Sequence, residues 1–117
     1  MTEKENGRQV LLITSQHMGR GDDELGAILI RSFIHVLGEI ESAPDAVILY
    51  NSGVKLAVEG SPLVDELRAL AESGVFILAC GTCLGHFGLK EKLAVGEVSN
   101  MYSIAEIVMS AGRLVRL

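Results

Sequence analysis

Tryptophan is missing from this chain, and aromatic residues make up only 4% of it. Few ring faces are therefore available for stacking nucleobases. The ten lysines and arginines are scattered rather than clustered, and fifteen aspartates and glutamates outnumber them, for a formal net charge of -5 and a pI near 5.1. An acidic chain without a basic stripe argues against nucleic acid as a partner. No apolar stretch reaches the roughly 18 to 20 residues that a bilayer span needs, and the first nine residues are polar where a secretory leader would be apolar. A cytoplasmic protein with no membrane partner is expected.

Cysteine is almost as scarce: there are two, Cys80 and Cys83. A chain of 117 residues can bury about two thirds of its unfolded surface without staples or metal, so neither thiol is needed for folding. In a reducing compartment such a close pair reads as a redox, transfer or metal group more readily than as a structural bridge. Several other signals are missing. No G-x-S-x-G elbow marks a serine nucleophile. Gly19-Arg20-Gly21 before a helix resembles a phosphate-binding turn, but Gly26 follows Gly21 by five residues instead of three, and no Walker lysine follows. Asp22, Asp23 and Glu24 at the start of that helix would repel a phosphate. The turn is read as structural, bordering a pocket where Arg20 is placed to meet an anionic sulfur or selenium species. Structural zinc normally takes four ligands, and only His86 is near enough in sequence to join the cysteines, which leaves a site shared between subunits as the one zinc arrangement open. No metal or other cofactor is expected.

What the chain does have is apolar mass: 49% hydrophobic residues against 21% charged, with a mean hydropathy of +0.38. That balance suggests strands covered on both faces or a sizeable interface, and a homo-oligomer is expected. Strand and helix patterns alternate from Gln9 onward, with residues 1–8 read as a flexible tail or linker remnant and residues 9–117 as one α/β domain. Val10-Leu11-Leu12-Ile13, Ala46-Val47-Ile48-Leu49-Tyr50, the run from Val75 into Cys80, Val95 to Val98, and the alternating end from Arg113 read as five strands. Between the first two, Leu25, Ile28, Leu29, Phe33, Val36, Leu37 and Ile40 recur at helical steps as one apolar stripe. Ser61-Pro62 reads as a cap followed by a first-turn proline, and Gly74 as the end of that second helix. One or two short turns are expected between Leu84 and Lys92, and a capping box at Ser103-x-x-Glu106 opens a last helix. The pattern predicts a three-layer sandwich around a mainly parallel, about five-stranded sheet.

Right-handed crossovers bring the carboxyl-end loops of parallel strands to one side, where sites form in open α/β sheets. The loops so gathered hold Gly19, Arg20 and Gly21; Asn51 and Ser52 in a turn; Cys80, Gly81, Thr82 and Cys83; and Asn100 with Met101, which with Tyr102 walls the pocket. If the chain turns into a helix near Cys83, free amides and the helix dipole favour thiolate there. The pair is then able to form a disulfide, to make and resolve a persulfide, or to hold metal; the bland reading is two small buried hydrophobes. Cys80 is favoured as nucleophile because a strand end holds it rigidly, with Cys83 resolving or relaying, and the reverse order stays open. His86 is a candidate base or proton relay, while His17 and His35 read as structural.

Cys80-Gly81-Thr82-Cys83-Leu84, the segment Gly88-Leu89-Lys90-Glu91-Lys92-Leu93-Ala94-Val95-Gly96, Ser99-Asn100-Met101-Tyr102 and Met18-Gly19-x-Gly21-x-x-x-Leu25-Gly26 together resemble the DsrE-like domain of the YedF family, sulfurtransferase-like proteins linked to selenium metabolism. The resemblance runs from about Val10 to Leu117. It implies a compact, self-associating α/β fold and a strand-end cysteine, matched by Cys80, that accepts sulfane sulfur, or selenium, and relays it to a partner thiol. Cys83 is an addition to the simple DsrE pattern and leaves a redox role open. A noncatalytic oligomeric module binding a small ligand or a partner is the rival reading. Sulfur-donor and sulfur-acceptor proteins are the implied partners. YedF-like proteins usually also carry an N-terminal TusA-like domain with its own cysteine, which this sequence does not include. An excised fragment or a stand-alone version is therefore expected, with a TusA-like domain among the partners.

Overall fold

The computed structural model describes residues 8–117, so the tail expected over residues 1–8 lies, apart from Arg8, outside the described residues. Five strands, β1 (Gln9–Ile13), β2 (Ala46–Leu49), β3 (Phe76–Cys80), β4 (Glu97–Ser99) and β5 (Arg113–Arg116), form one sheet in the order β4-β3-β2-β1-β5. Every pairing is parallel. Parallel strands need crossovers, which α1 (Asp23–Leu37), α2 (Val64–Glu72), α3 (Gly81–His86) and α4 (Met101–Ser110) supply. The first three connections step the same way along the sheet and the last returns across it. With right-handed crossovers, α1 to α3 cover one face and α4 the other, giving the expected three layers.

The continuous apolar runs are explained by position. β2 is central, with neighbours on both sides and layers on both faces, and Val47, Ile48 and Leu49 are fully enclosed. Burial of side chains of this size contributes about 1.5 to 3 kcal/mol each. β5 lies at an edge, exposed throughout, and carries Arg113 and Arg116, charges that discourage pairing with another chain.

Several local expectations are corrected. The buried face of α1 is Gly26, Ile30, Ile34 and Leu37, whereas Leu25, Ile28, Leu29 and Val36 of the expected stripe are exposed, with Ile40 beyond the helix. The helix is apolar on more than one side. Gly26 decides which side docks, because a Cβ there would lie 2.9 Å from the Cβ of His17 and 3.2 Å from the Met18 carbonyl oxygen. Asp22 is the N-cap of α1, its carboxylate accepting from the Leu25 amide at 2.8 Å. α2 starts two residues after Pro62. Ser61 Oγ accepts from the Leu63 amide instead of capping the helix, whereas Gly74, at φ +108 directly after the C-cap Ser73, ends the helix as expected. The last helix begins not at a Ser103 capping box but at Met101, with Asn100 Oδ1 accepting from the Ser103 amide at 2.9 Å. The turn expected at Asn51 is the start of a 3-10 helix, Asn51–Ala57, and a second one, Lys90–Lys92, follows α3.

Candidate functional site

Cys80 is the last residue of β3, in register with Ser99 of β4, and is 1% exposed. Its backbone is still extended (φ -64, ψ 120) and it serves as N-cap of α3, so the chain turns from strand to helix at this sulfur. Gly81 permits the turn so close to β4: a Cβ there would meet Val98 Cγ1 at 3.0 Å and the Ser99 carbonyl oxygen at 3.1 Å. Cys83 lies in the first turn of α3 and is half-buried. The two thiols are free, not bridged, and near one another.

The second contact to the sulfurs comes from another loop. β2 ends at Leu49, Tyr50 extends the ladder by donating its amide to the Ile13 carbonyl at 3.2 Å, and Asn51 then turns the chain. The Asn51 amide donates to Cys83 Sγ at 3.0 Å. Asn51 has φ +52, the one non-glycine residue with positive φ among the described residues. Its side-chain oxygen accepts from the Ser52 amide at 2.8 Å, and Ser52 Oγ accepts from the Gln16 amide at 3.2 Å. The carboxyl-end loops of β1, β2 and β3 are thereby tied in series to the cysteine pair.

Burial pushes the Cys83 thiol up from its ordinary value; the Asn51 amide pulls it back, and contact with Cys80 adds to the rise. The expected bias toward thiolate is thus corrected. α3 is six residues long, so its dipole is small, and desolvation outweighs the single amide.

Of the other candidates, Ser52 and Gly81 are in this arrangement and Thr82 is exposed beside it. Gly19, Arg20 and Gly21 lie exposed on the loop after β1, and no hydrogen bond or ion pair joins Arg20 to the thiols among the described residues. His86 is exposed, its ring edge-on to Phe87 with centroids 5.1 Å apart. Asn100 is engaged as a helix cap, and Met101 is exposed at the start of α4. His17 pairs with Asp23 and His35 with Glu39. Lys55 was not singled out from the sequence, yet its Nζ lies 4.4 Å from the centre of the Phe87 ring and fastens the 3-10 helix to the end of α3. No sequence signal could have found it, because nothing in the spacing brings residues 55 and 87 together. An open hollow of about 320 Å3, lined by Gln16, His17, Arg31, Lys55 and Glu59 among others, adjoins the arrangement without including the sulfurs. Among the described residues no three of His, Cys, Asp or Glu converge as a metal site would require. No described helix is long and apolar enough to cross a membrane.

A parallel α/β sandwich with a free thiol pair at the carboxyl end of β3 defines a class of thiol-bearing sheet proteins. The chain belongs to the DsrE/DsrF-like family, whose family model matches residues 9–117. The fold is shared with YchN of E. coli at 19% identity, covering 95% of this chain and 99% of that one with a TM-score of 0.72. It is shared too with MTH1491 of Methanobacterium thermoautotrophicum, a protein of unknown function (24% identity, 93% and 97% covered, TM-score 0.68). BT1422 of Bacteroides thetaiotaomicron, a conserved protein of unknown function, matches over the whole of both chains at 15% identity with a TM-score of 0.64. No curated protein sequence matches this chain.

Proposed function

We propose that this protein is a sulfur carrier that accepts a sulfane sulfur as a cysteine persulfide and hands it to a partner thiol. The observation that carries the proposal is the pairing of a reachable Cys83, its Sγ held by a main-chain amide, with a buried Cys80 near it at the end of β3. Access supports Cys83 as the sulfur that meets the donor, although Cys80 holds the strand-end position favoured from the sequence. In loading, Cys83 thiolate attacks the terminal sulfur of a donor persulfide. A new S–S bond forms, the donor's S–S bond breaks, and the donor leaves as thiolate. In unloading, an acceptor thiolate attacks the same terminal atom and the electron pair of the broken bond returns to Cys83. A raised thiol pKa makes Cys83 a slower leaving group, which suits a carrier that must hold its cargo.

The nearness of the sulfurs favours a second reading, thiol-disulfide exchange, in which a partner disulfide is reduced to two thiols, its S–S bond breaking as Cys80 and Cys83 join. The resemblance to YedF proteins adds selenium as a cargo and a TusA-like domain as a partner. The exposed Leu25, Ile28, Leu29 and Val36 support self-association through α1, which sedimentation of the intact chain tests.

The deciding experiment treats reduced protein with polysulfide, or with a cysteine desulfurase and cysteine, and reads the intact mass of wild type, Cys80→Ala and Cys83→Ala. Sulfur gained by wild type and Cys80→Ala but not by Cys83→Ala is expected. Gain lost only in Cys80→Ala moves the cargo to Cys80. Loss of two hydrogens without added sulfur establishes the redox reading, and no change in any variant defeats both.

A further inference from the structure

A residue with a side chain and positive φ is uncommon, and when its amide points at a nucleophile the conformation asks for a functional account. Asn51 meets both conditions. Its neighbours fix the turn from three sides: Tyr50 is bound to the Ile13 carbonyl, Gly53 donates to the Tyr50 carbonyl at 3.1 Å, and the Ser52 amide is held by the Asn51 side chain. Asparagine bears a left-handed backbone at lower cost than most residues because its short amide bonds locally, as it does here. A turn alone needs only that tolerance. It does not need the Asn51 amide to end on sulfur at 3.0 Å.

We infer that Asn51 is a positioning residue for Cys83, its left-handed backbone holding the amide N–H where it stabilises negative charge on Sγ as that sulfur attacks and again as it leaves. The second half rests on the sulfur-carrier reading; the first stands on geometry alone. Charge resides on Sγ at the start of loading and returns there when the acceptor takes the terminal sulfur, so one fixed donor serves both steps. A preorganised amide costs no reorganisation at either moment. Cys83 is half-buried, so the fixed amide replaces part of the hydration its anion would otherwise have.

The side chain serves the backbone conformation and not the sulfur itself, which separates the proposal from a merely structural role. Asn51→Gly keeps positive φ and should leave Cys83 as it is. Asn51→Val disfavours positive φ and should swing the amide away. With Cys80→Ala as background, the pH profile of Cys83 alkylation by iodoacetamide is followed by mass, and circular dichroism confirms that each variant is folded. In Asn51→Val the alkylation rate near neutral pH should fall about tenfold and the profile move to higher pH, the size expected for one hydrogen bond to a charged group. Asn51→Gly should restore the wild-type profile. A folded Asn51→Val protein with an unmoved profile overturns the inference, as does an Asn51→Gly protein that behaves like it. Should Asn51→Val not fold, Asn51→Ala takes its place under the same criteria. Sulfur loading of the same variants is scored separately: a moved profile in a protein that gains no sulfur retains the positioning role and rejects the carrier.

Discussion

Gly53 lies directly on Ile13: a Cβ at residue 53 would collide with the Ile13 carbonyl oxygen and come within 3.4 Å of the Ser15 amide nitrogen. The first 3-10 helix is thus pressed against the end of β1 with no room for a side chain. The same helix begins with the residue that holds Cys83.

Gly53→Ala should consequently act on stability and on the thiol together. Overpacking against main chain costs about 1 to 3 kcal/mol, measurable as a lower urea midpoint with an unchanged slope. Displacing the 3-10 helix should also slow Cys83 alkylation. A variant of wild-type stability would show that the helix shifts freely and that its seat on β1 does not determine the site.

Gly96 and Gly60 offer a controlled pair. Both have positive φ, +84 and +90, but a Cβ at Gly96 would lie 2.5 Å from the Ile77 carbonyl oxygen, while nothing stands within 4 Å of one at Gly60. Alanine at either position bears the conformational cost, about 1 to 2 kcal/mol. Only Gly96→Ala adds a collision with β3, three residues before Cys80. Gly96→Ala should melt clearly below Gly60→Ala in a thermal scan. Equal melting temperatures would mean that β4 can withdraw from β3 at no cost.

How far the sequence reaches follows from the range of each interaction. Val10 to Ile13 and Ala46 to Leu49 announce buried strands because continuous apolar runs bounded by turn residues have few other uses, and strands alternating with helices then imply a parallel sheet. The cysteines reach their loop for the same reason. The face of α1 is not legible, because Leu25, Ile28 and Leu29 compete with Ile30 and Ile34 and the choice depends on the fit of Gly26 against residues 17 and 18. The Asn51 amide is hidden for a different reason: sequence names side chains, while the group that meets Cys83 is main chain, aimed by a dihedral angle. Which cysteine is reachable depends on packing around both, and the rigid strand end that favoured Cys80 is also what buries it.

Accessibility should divide the two thiols cleanly. With a small excess of N-ethylmaleimide under native conditions, the protein should take one adduct, located by peptide mapping to Cys83, and a second on Cys80 only after denaturation. Two adducts at equal rates in the native protein would show that β3 and α3 open readily, and would remove the access argument for Cys83.

The acid–base behaviour of Cys83 gives a sign that can be worked out in advance. Burial penalises the thiolate more than the Asn51 amide supports it, so the folded protein binds the thiol proton more tightly than the unfolded chain does. Near neutral pH both states are protonated and the group contributes no slope. As pH rises past the ordinary thiol range, about 8.5, the unfolded chain releases its proton first and folding stability falls, until the folded thiol also ionises. Reactivity moves the other way, since thiolate is the attacking species and its fraction grows over the same interval. Wild type should therefore become more reactive and less stable as the solution turns alkaline. In Cys83→Ala, urea midpoints measured from neutral pH upward should lose that part of the alkaline decline. If the decline is the same in both proteins, ionisation of Cys83 is not opposed by the fold, and the slow-release argument built on its raised pKa fails with it.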